Sequence, residues 1–173
     1  MSGMAPDRDT WLTPPYLIHG LGEFDLDPCC PPDMPWATAT KMLTLRENGL
    51  LTPWSGRVWL NPPYSDMQDW VARLAQHGNG IALLFSRTDT AAFHDHVFPI
   101  ASGLLFLRRR LRFFRPDGRQ SFETPPAPSV LIAYDPPGSI TNADALCHCG
   151  LPGFYVPLDV KASVEPSAGE PRP

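Results

Sequence analysis

Residues 57–64 read RVWLNPPY. An apolar run ends at Leu60, and an amide, two prolines and an aromatic follow it. Proline has no N–H to give to a sheet ladder, so the strand must stop at Leu60. The two prolines then hold Asn61 and Tyr64 in one shape. Pro-Pro alone carries little weight in a chain with 22 prolines in 173 residues and the same pair at 14–15, 31–32, 125–126 and 136–137. The weight rests on Asn61, on Tyr64 and on the elements around them.

Beyond the motif, Ser65 is placed to cap a helix, with Gln68 in the capping-box position. Met67, Trp70, Val71 and Leu74 follow at helical spacing, and Gly78 supplies the stop. IALLFS (81–86) is apolar throughout, as in a strand covered on both faces. Thr88 or Asp89 then caps a helix running to about Val97. GLLFLRRRLRFF (103–114) and SVLIAY (129–134) read as an antiparallel strand pair, and CHCGLPGFYVPL (147–158) as a closing strand. Before the motif, EFDLDP (23–28) reads as a short strand ending near Asp27, and KMLTL (41–45) as a second, closed by a turn at Asn48-Gly49. This succession predicts an α/β sheet with crossover helices. Ligands of such sheets bind beyond the carboxyl ends of the strands, where Asp27 and Asn61 both fall.

The chain has the length of one domain: a loose stretch at 1–10, a folded unit over 11–160 and a polar, Pro-rich tail over 161–173 that reads as disordered. Hydrophobic residues make up 43 % and charged residues 18 %, ordinary for a globular chain. No apolar run approaches the roughly 20 residues of a membrane span, and the N-terminus lacks the pattern of a signal peptide, so a cytoplasmic protein is expected. Cys29, Cys30, Cys147 and Cys149 form a poor disulfide framework and read as reduced thiols. Their spacing does not suit zinc, and His94 and His96 point to different helix faces, so no metal is expected.

The net charge of −4 is misleading for a nucleic-acid partner. Six arginines (108, 109, 110, 112, 115 and 119) against Asp117 make the segment 108–119 +5, leaving −9 for the rest. Such a basic patch on an acidic body can meet phosphates whatever the sum. Its interleaving with Leu111, Phe113 and Phe114 favours a hairpin facing DNA over a solvated one. On a strand, Arg108, Arg110 and Arg112 would share one face and Arg109 the other.

The opening motif suits one chemistry well. An exocyclic amino group such as N6 of adenine is planar and poorly nucleophilic, because its lone pair is delocalised into the ring. Two acceptors aimed at its hydrogens, the Asn61 side-chain oxygen and the Pro62 carbonyl, would draw it towards a tetrahedral nitrogen. Tyr64 offers a face for stacking. Acceptors placed in advance lower the barrier by preorganisation, with no metal or strong base.

Asn61-Pro62-Pro63-Tyr64 resembles the catalytic motif of amino-methyltransferases, the adenine-N6 enzymes above all. WLTPPYLIHGLGEFDLDP (11–28), FSRTDTAAFH (85–94), RRRLRF (108–113) and PPAPSVLIAY (125–134) are similar, in order, to the small phage Dam-type DNA N6-adenine methyltransferases. The resemblance covers about Trp11 to Tyr134. It implies a reduced class I (Rossmann-like) methyltransferase sheet with a C-terminal antiparallel strand pair. It also implies S-adenosylmethionine as cofactor, DNA as partner and the cytoplasm of a bacterial host. Site residues carried over by position are Asn61, Pro62, Pro63 and Tyr64 at the target amino group. Thr13, Pro14, Asp27, Pro28 and Asn48 fall to the cofactor, and Arg87, Asp89, Arg108, Arg110 and Arg112 to the DNA. Arg87 and Asp89 also admit a structural ion pair. The chain departs from the family in three places, one of them the short spacing from Asp27 to Asn61, which implies that the sheet lacks an element of the full fold. PCCPP (28–32) stands where glycines usually follow the first strand, and Asn48, beside Glu47, stands where an Asp precedes Gly-Leu. Three other readings are open: the same chemistry on RNA bases, on protein glutamine, or a non-catalytic DNA-binding protein on this scaffold.

Overall fold

The computed structural model describes residues 12–44, 46–115, 117–122 and 125–159. The expected loose N-terminus and disordered tail lie outside the described residues. Seven strands form one sheet: β1 (Leu26–Asp27), β2 (Lys41–Met42), β3 (Val58–Leu60), β4 (Gly80–Phe85), β5 (Gly103–Leu107), β6 (Ser129–Tyr134) and β7 (Gly153–Pro157). Their order is β2-β1-β3-β4-β6-β5-β7. The first four run parallel, and β6 and β7 run against their neighbours. The sheet is thus mixed, and β1, β3, β4 and β5 all point the same way.

Alternation along the central strands separates two cores. Val58, Leu60, Ala82, Leu84, Val130 and Ile132 face one side, under α2 (Met67–His77) and a π-helical turn at Phe93–Val97. Trp59, Ile81, Leu83, Phe85, Leu131 and Ala133 face the other, under α1 (Pro15–Leu21) and α3 (Thr141–His148). Both faces of β4 are covered, which is why its sequence is apolar throughout. In α2, Trp70, Val71 and Leu74 are buried, and Gly78 closes the helix in the left-handed region (φ 69°), which glycine adopts without steric cost.

Several expectations need correction. No capping box forms at Ser65: the chain makes a 3₁₀ turn over Tyr64–Asp66, and α2 begins without a side-chain cap. Instead Ser65 Oγ donates to the Asp66 carboxylate. Neither Thr88 nor Asp89 caps the next helix; the turn is closed by Thr90, whose hydroxyl donates to the Arg87 carbonyl at 2.9 Å. Among the described residues, helical crossovers are missing between β1 and β2 and between β2 and β3. The first connection carries Pro28, Pro31, Pro32 and Pro35, which deny it the N–H groups and backbone freedom of a helix. Cys147 belongs to the last turn of α3, so the closing strand starts only at Gly153.

The correction with most bearing on function concerns the arginines. β5 ends at Leu107, so the run 108–113 leaves the sheet as a loop. Leu111 and Phe113 turn back into the core while Arg108, Arg109, Arg110 and Arg112 are exposed. The strand-face distinction between Arg109 and its neighbours does not exist.

Candidate active site

β1 and β3 lie side by side with Leu26 opposite Val58, so Asp27 and Asn61 leave the sheet at the same edge. Thr13 ties this edge to the chain before α1. The Asn61 amide nitrogen donates to Thr13 Oγ1 at 3.2 Å, and Trp59 Nε1 donates to the same oxygen at 3.3 Å. Trp36 Nε1 donates to the Thr13 carbonyl at 3.0 Å. Thr13 is buried, as is Pro14 behind it. Its hydroxyl thus spends both acceptor positions on holding Asn61 and Trp59. Cys29 Sγ donates to the Asn61 backbone carbonyl at 3.4 Å, joining the loop after β1 to the motif.

Asp27 is buried at the end of β1. Its carboxylate accepts the Cys29 N–H at 3.2 Å and the Thr38 hydroxyl. Burial pushes its pKa up to about 6, although both hydrogen bonds pull it down. Burial and then the neighbouring Asp27 charge push the Cys29 thiol well up, and the same two causes push Cys30 up to about 12. The PCCPP loop therefore carries neutral, unreactive thiols.

A cleft of about 240 Å³ opens at this edge, lined by Pro28, Cys29, Asn48, Leu50, Pro63, Asp66 and Trp70 among others. It brings together three residues singled out in the sequence: Pro28, Asn48 and Pro63. Asn48 sits in the left-handed region (φ 47°), which Asn and Asp tolerate better than most residues. At Gly49 a Cβ would overlap the Pro28 carbonyl oxygen, so only glycine lets the two loops close on each other. Glu47 faces its own turn instead, accepting from the Thr44 N–H and hydroxyl at 2.7 Å each, and these bonds hold its pKa down. Leu50, Asp66 and Trp70 were missed from the sequence. The one available signal was that Asp66 and Trp70 follow the motif closely, Asp66 just before α2 and Trp70 in its first turn.

Tyr64 stacks on Phe85, with ring centroids 4.3 Å apart and planes 10° from parallel. Arg87 and Asp89 are exposed just past β4 and do not line the cleft. Arg109, Arg110 and Arg112 line a second groove of about 280 Å³ with Tyr16 and Gln120, which were also missed. Arg108 is exposed, and its backbone N–H donates to Pro152 at 2.9 Å. This loop is tied to the motif. Leu12 and Phe114 exchange backbone hydrogen bonds at 3.0 and 3.1 Å, and Leu12 is the neighbour of Thr13, which holds Asn61.

Compared with known families, residues 2–147 match the model of the DNA N-6-adenine-methyltransferase (Dam) family. The chain belongs to that family. The match takes in the motif, the loop after β1 and the arginine run. Comparison with curated proteins and with solved structures found no match. The protein is therefore a DNA adenine N6-methyltransferase, and membership implies S-adenosylmethionine as the methyl donor. RNA bases and glutamine, as rival substrates for the same chemistry, give way to DNA. No helix among the described residues is long and apolar enough to cross a membrane.

Proposed function

We propose that this methyltransferase holds its cofactor in the cleft between the β1, β2 and β3 loops and receives an extruded adenine at Asn61, Pro62 and Tyr64. The observation that carries the reading is the junction of these parts. Pro63 lines the cleft, while Asn61, two residues earlier, is held by Thr13. The cleft residues fit S-adenosylmethionine: Leu50, Pro63 and Trp70 give a purine apolar walls, and Asn48 and Asp66 give ribose hydroxyls polar partners. When bound, that group supplies an electrophilic methyl on a sulfonium. Asn61 Oδ1 and the Pro62 carbonyl accept the two N6 hydrogens, and the ring of Tyr64, braced from behind by Phe85, stacks on the base. Asp27 and Pro28 shape the cofactor loop. Arg87, Asp89 and the arginine loop face the DNA.

The architecture supports this arrangement as a reduced class I (Rossmann-like) methyltransferase sheet in one domain, with four parallel strands followed by antiparallel β6. The cytoplasm of a bacterial host is the setting we propose. The cleft assignment is tested by titration calorimetry with S-adenosylmethionine on Asn48→Ala and Asp66→Ala. Each should weaken binding by about 10-fold, the equivalent of one lost hydrogen bond to a polar ligand. Wild-type affinity in both variants would move the cofactor elsewhere.

A further inference from the structure

The groove of about 280 Å³ between α1 and the arginine loop is separate from the cofactor cleft: none of its lining residues lines the cleft. Its floor is apolar, with Leu17 and Leu111 buried in it. Its rim is polar. Arg109, Arg112 and Gln120 are exposed, and so is Tyr16, at 49 %. None of the lining residues is acidic. Backbone hydrogen bonds fix the walls. Leu12 and Phe114 exchange theirs, Phe114 pairs with Gln120, and the Arg108 N–H donates to the Pro152 carbonyl at 2.9 Å. The groove is thus shaped before a ligand arrives, which spares that ligand the entropy of ordering it.

This lining narrows the class of ligand. Guanidinium groups take an anion, and phosphate suits them well. Buried leucines and the face of a phenol take a flat ring. A side-chain amide takes the polar edge of a base. A nucleotide outside the helix carries all three. A duplex does not, because its bases are stacked inside and it would offer the groove little but phosphates. The position also fits. Tyr16 follows Thr13 by three residues, so their Cα atoms are at most about 11 Å apart. Thr13 holds Asn61, so a strand whose adenine meets Asn61 passes close to the groove.

We propose that this groove binds an unpaired nucleotide of the substrate strand, with its base on Tyr16 and its phosphate at Arg109 and Arg112. The enzyme therefore favours a target adenine beside a single-stranded stretch over one in continuous duplex. The inference rests on the proposed function, in that the adenine is received at Asn61 and the arginine loop faces the DNA.

Two measurements test it. Fluorescence anisotropy of a labelled oligothymidylate, which contains no adenine, reads the groove without the active site. Tyr16→Ala should weaken its binding about 5- to 100-fold, the worth of one base stacked on an aromatic ring, and Tyr16→Phe should stay within about 2-fold of wild type. Thymidine 5′-monophosphate should not displace the oligonucleotide at comparable concentration. Equal displacement would give the groove to a free nucleotide and overturn the inference. The second measurement is methyl transfer to one target site, in continuous duplex and beside a single-stranded flank. Wild type should show a kcat/KM about 10-fold higher on the flanked site, and in Tyr16→Ala this ratio should fall to within about 2-fold of unity. A wild type without the preference, or an equal fall on both substrates in Tyr16→Ala, would overturn the inference and leave the proposed function standing. A wild type inactive on both would overturn the two together.

Discussion

Thr13 and Asn61 are far apart in sequence, and each makes the other useful. The Thr13 hydroxyl accepts the Asn61 amide nitrogen, which turns the amide oxygen to the opposite side and limits the rotamers open to it. Preorganised acceptors act only if they need not reorient during the reaction. Asn61→Ala should therefore lower turnover by at least about 100-fold, the scale seen when one preorganised polar group is removed, while cofactor affinity stays within a few-fold. Thr13→Val keeps the shape and removes the acceptor that the Asn61 amide and the Trp59 indole N–H share. It should reduce kcat with little change in KM. Retention of most turnover in Asn61→Ala would remove Asn61 from the chemistry.

In the arginine loop, alternate residues serve different ends. Leu111 and Phe113 anchor it by burial, Arg110 donates from Nη1 to the Pro125 carbonyl at 2.8 Å, and Arg112 stands out in solvent. Phe113 is 1 % exposed, so Phe113→Ala should cost about 3–5 kcal/mol of stability and loosen the loop. Arg112→Ala should change stability by about 0.5 kcal/mol or less, as surface substitutions do. On DNA it should lower the slope of log affinity against log salt by about 0.9, one phosphate's worth. Thermal melts and salt titrations of the two variants separate anchoring from binding. The opposite pattern would mean that Arg112 holds the loop rather than the DNA.

The molecule as a whole sets a basic loop on an acidic body, and the pairing of Phe114 with Leu12 ties that loop to the edge that carries the motif. It also carries a buried carboxylate at a thermodynamic cost. Asp27 is raised from 3.8 to about 6, so between those pH values the folded chain keeps its proton while the unfolded chain has lost it. Stability from this group therefore falls as pH rises from about 4 to about 6 and stays low above that. The penalty at neutral pH is on the order of 3 kcal/mol. Asp27→Asn should thus melt higher than wild type at pH 8, with the gap closing towards pH 4. A gap independent of pH would mean that Asp27 is ionised throughout. Asp27 itself does not line the cleft, but the next two residues, Pro28 and Cys29, do.

Short-range physics made much of this legible. Proline chemistry ends β3 at Leu60, helical spacing and Gly78 delimit α2, and unbroken apolarity marks β4, because each depends on residues within one element. Asn61 could be singled out for the same reason, from its residue type and its neighbours, whereas Pro28, Pro63 and Asn48 come by position from the family resemblance; the structure brings these three to one cleft. What did not follow from the string were contacts across long loops. The bond from Asn61 to Thr13, the closure of Gly49 on Pro28 and the seat of Asp66 and Trp70 in the cleft all need the strand order first. The arginine run shows the same limit from the other side. Its composition reads as a strand, yet β5 stops at Leu107, where β7 also begins at Gly153, and the pairing of Phe114 with Leu12 and Gln120 turns the rest into a loop. Which backbone groups find partners is a property of the packed chain, and that choice ties the basic loop, through Leu12 and Thr13, to the edge that bears Asn61.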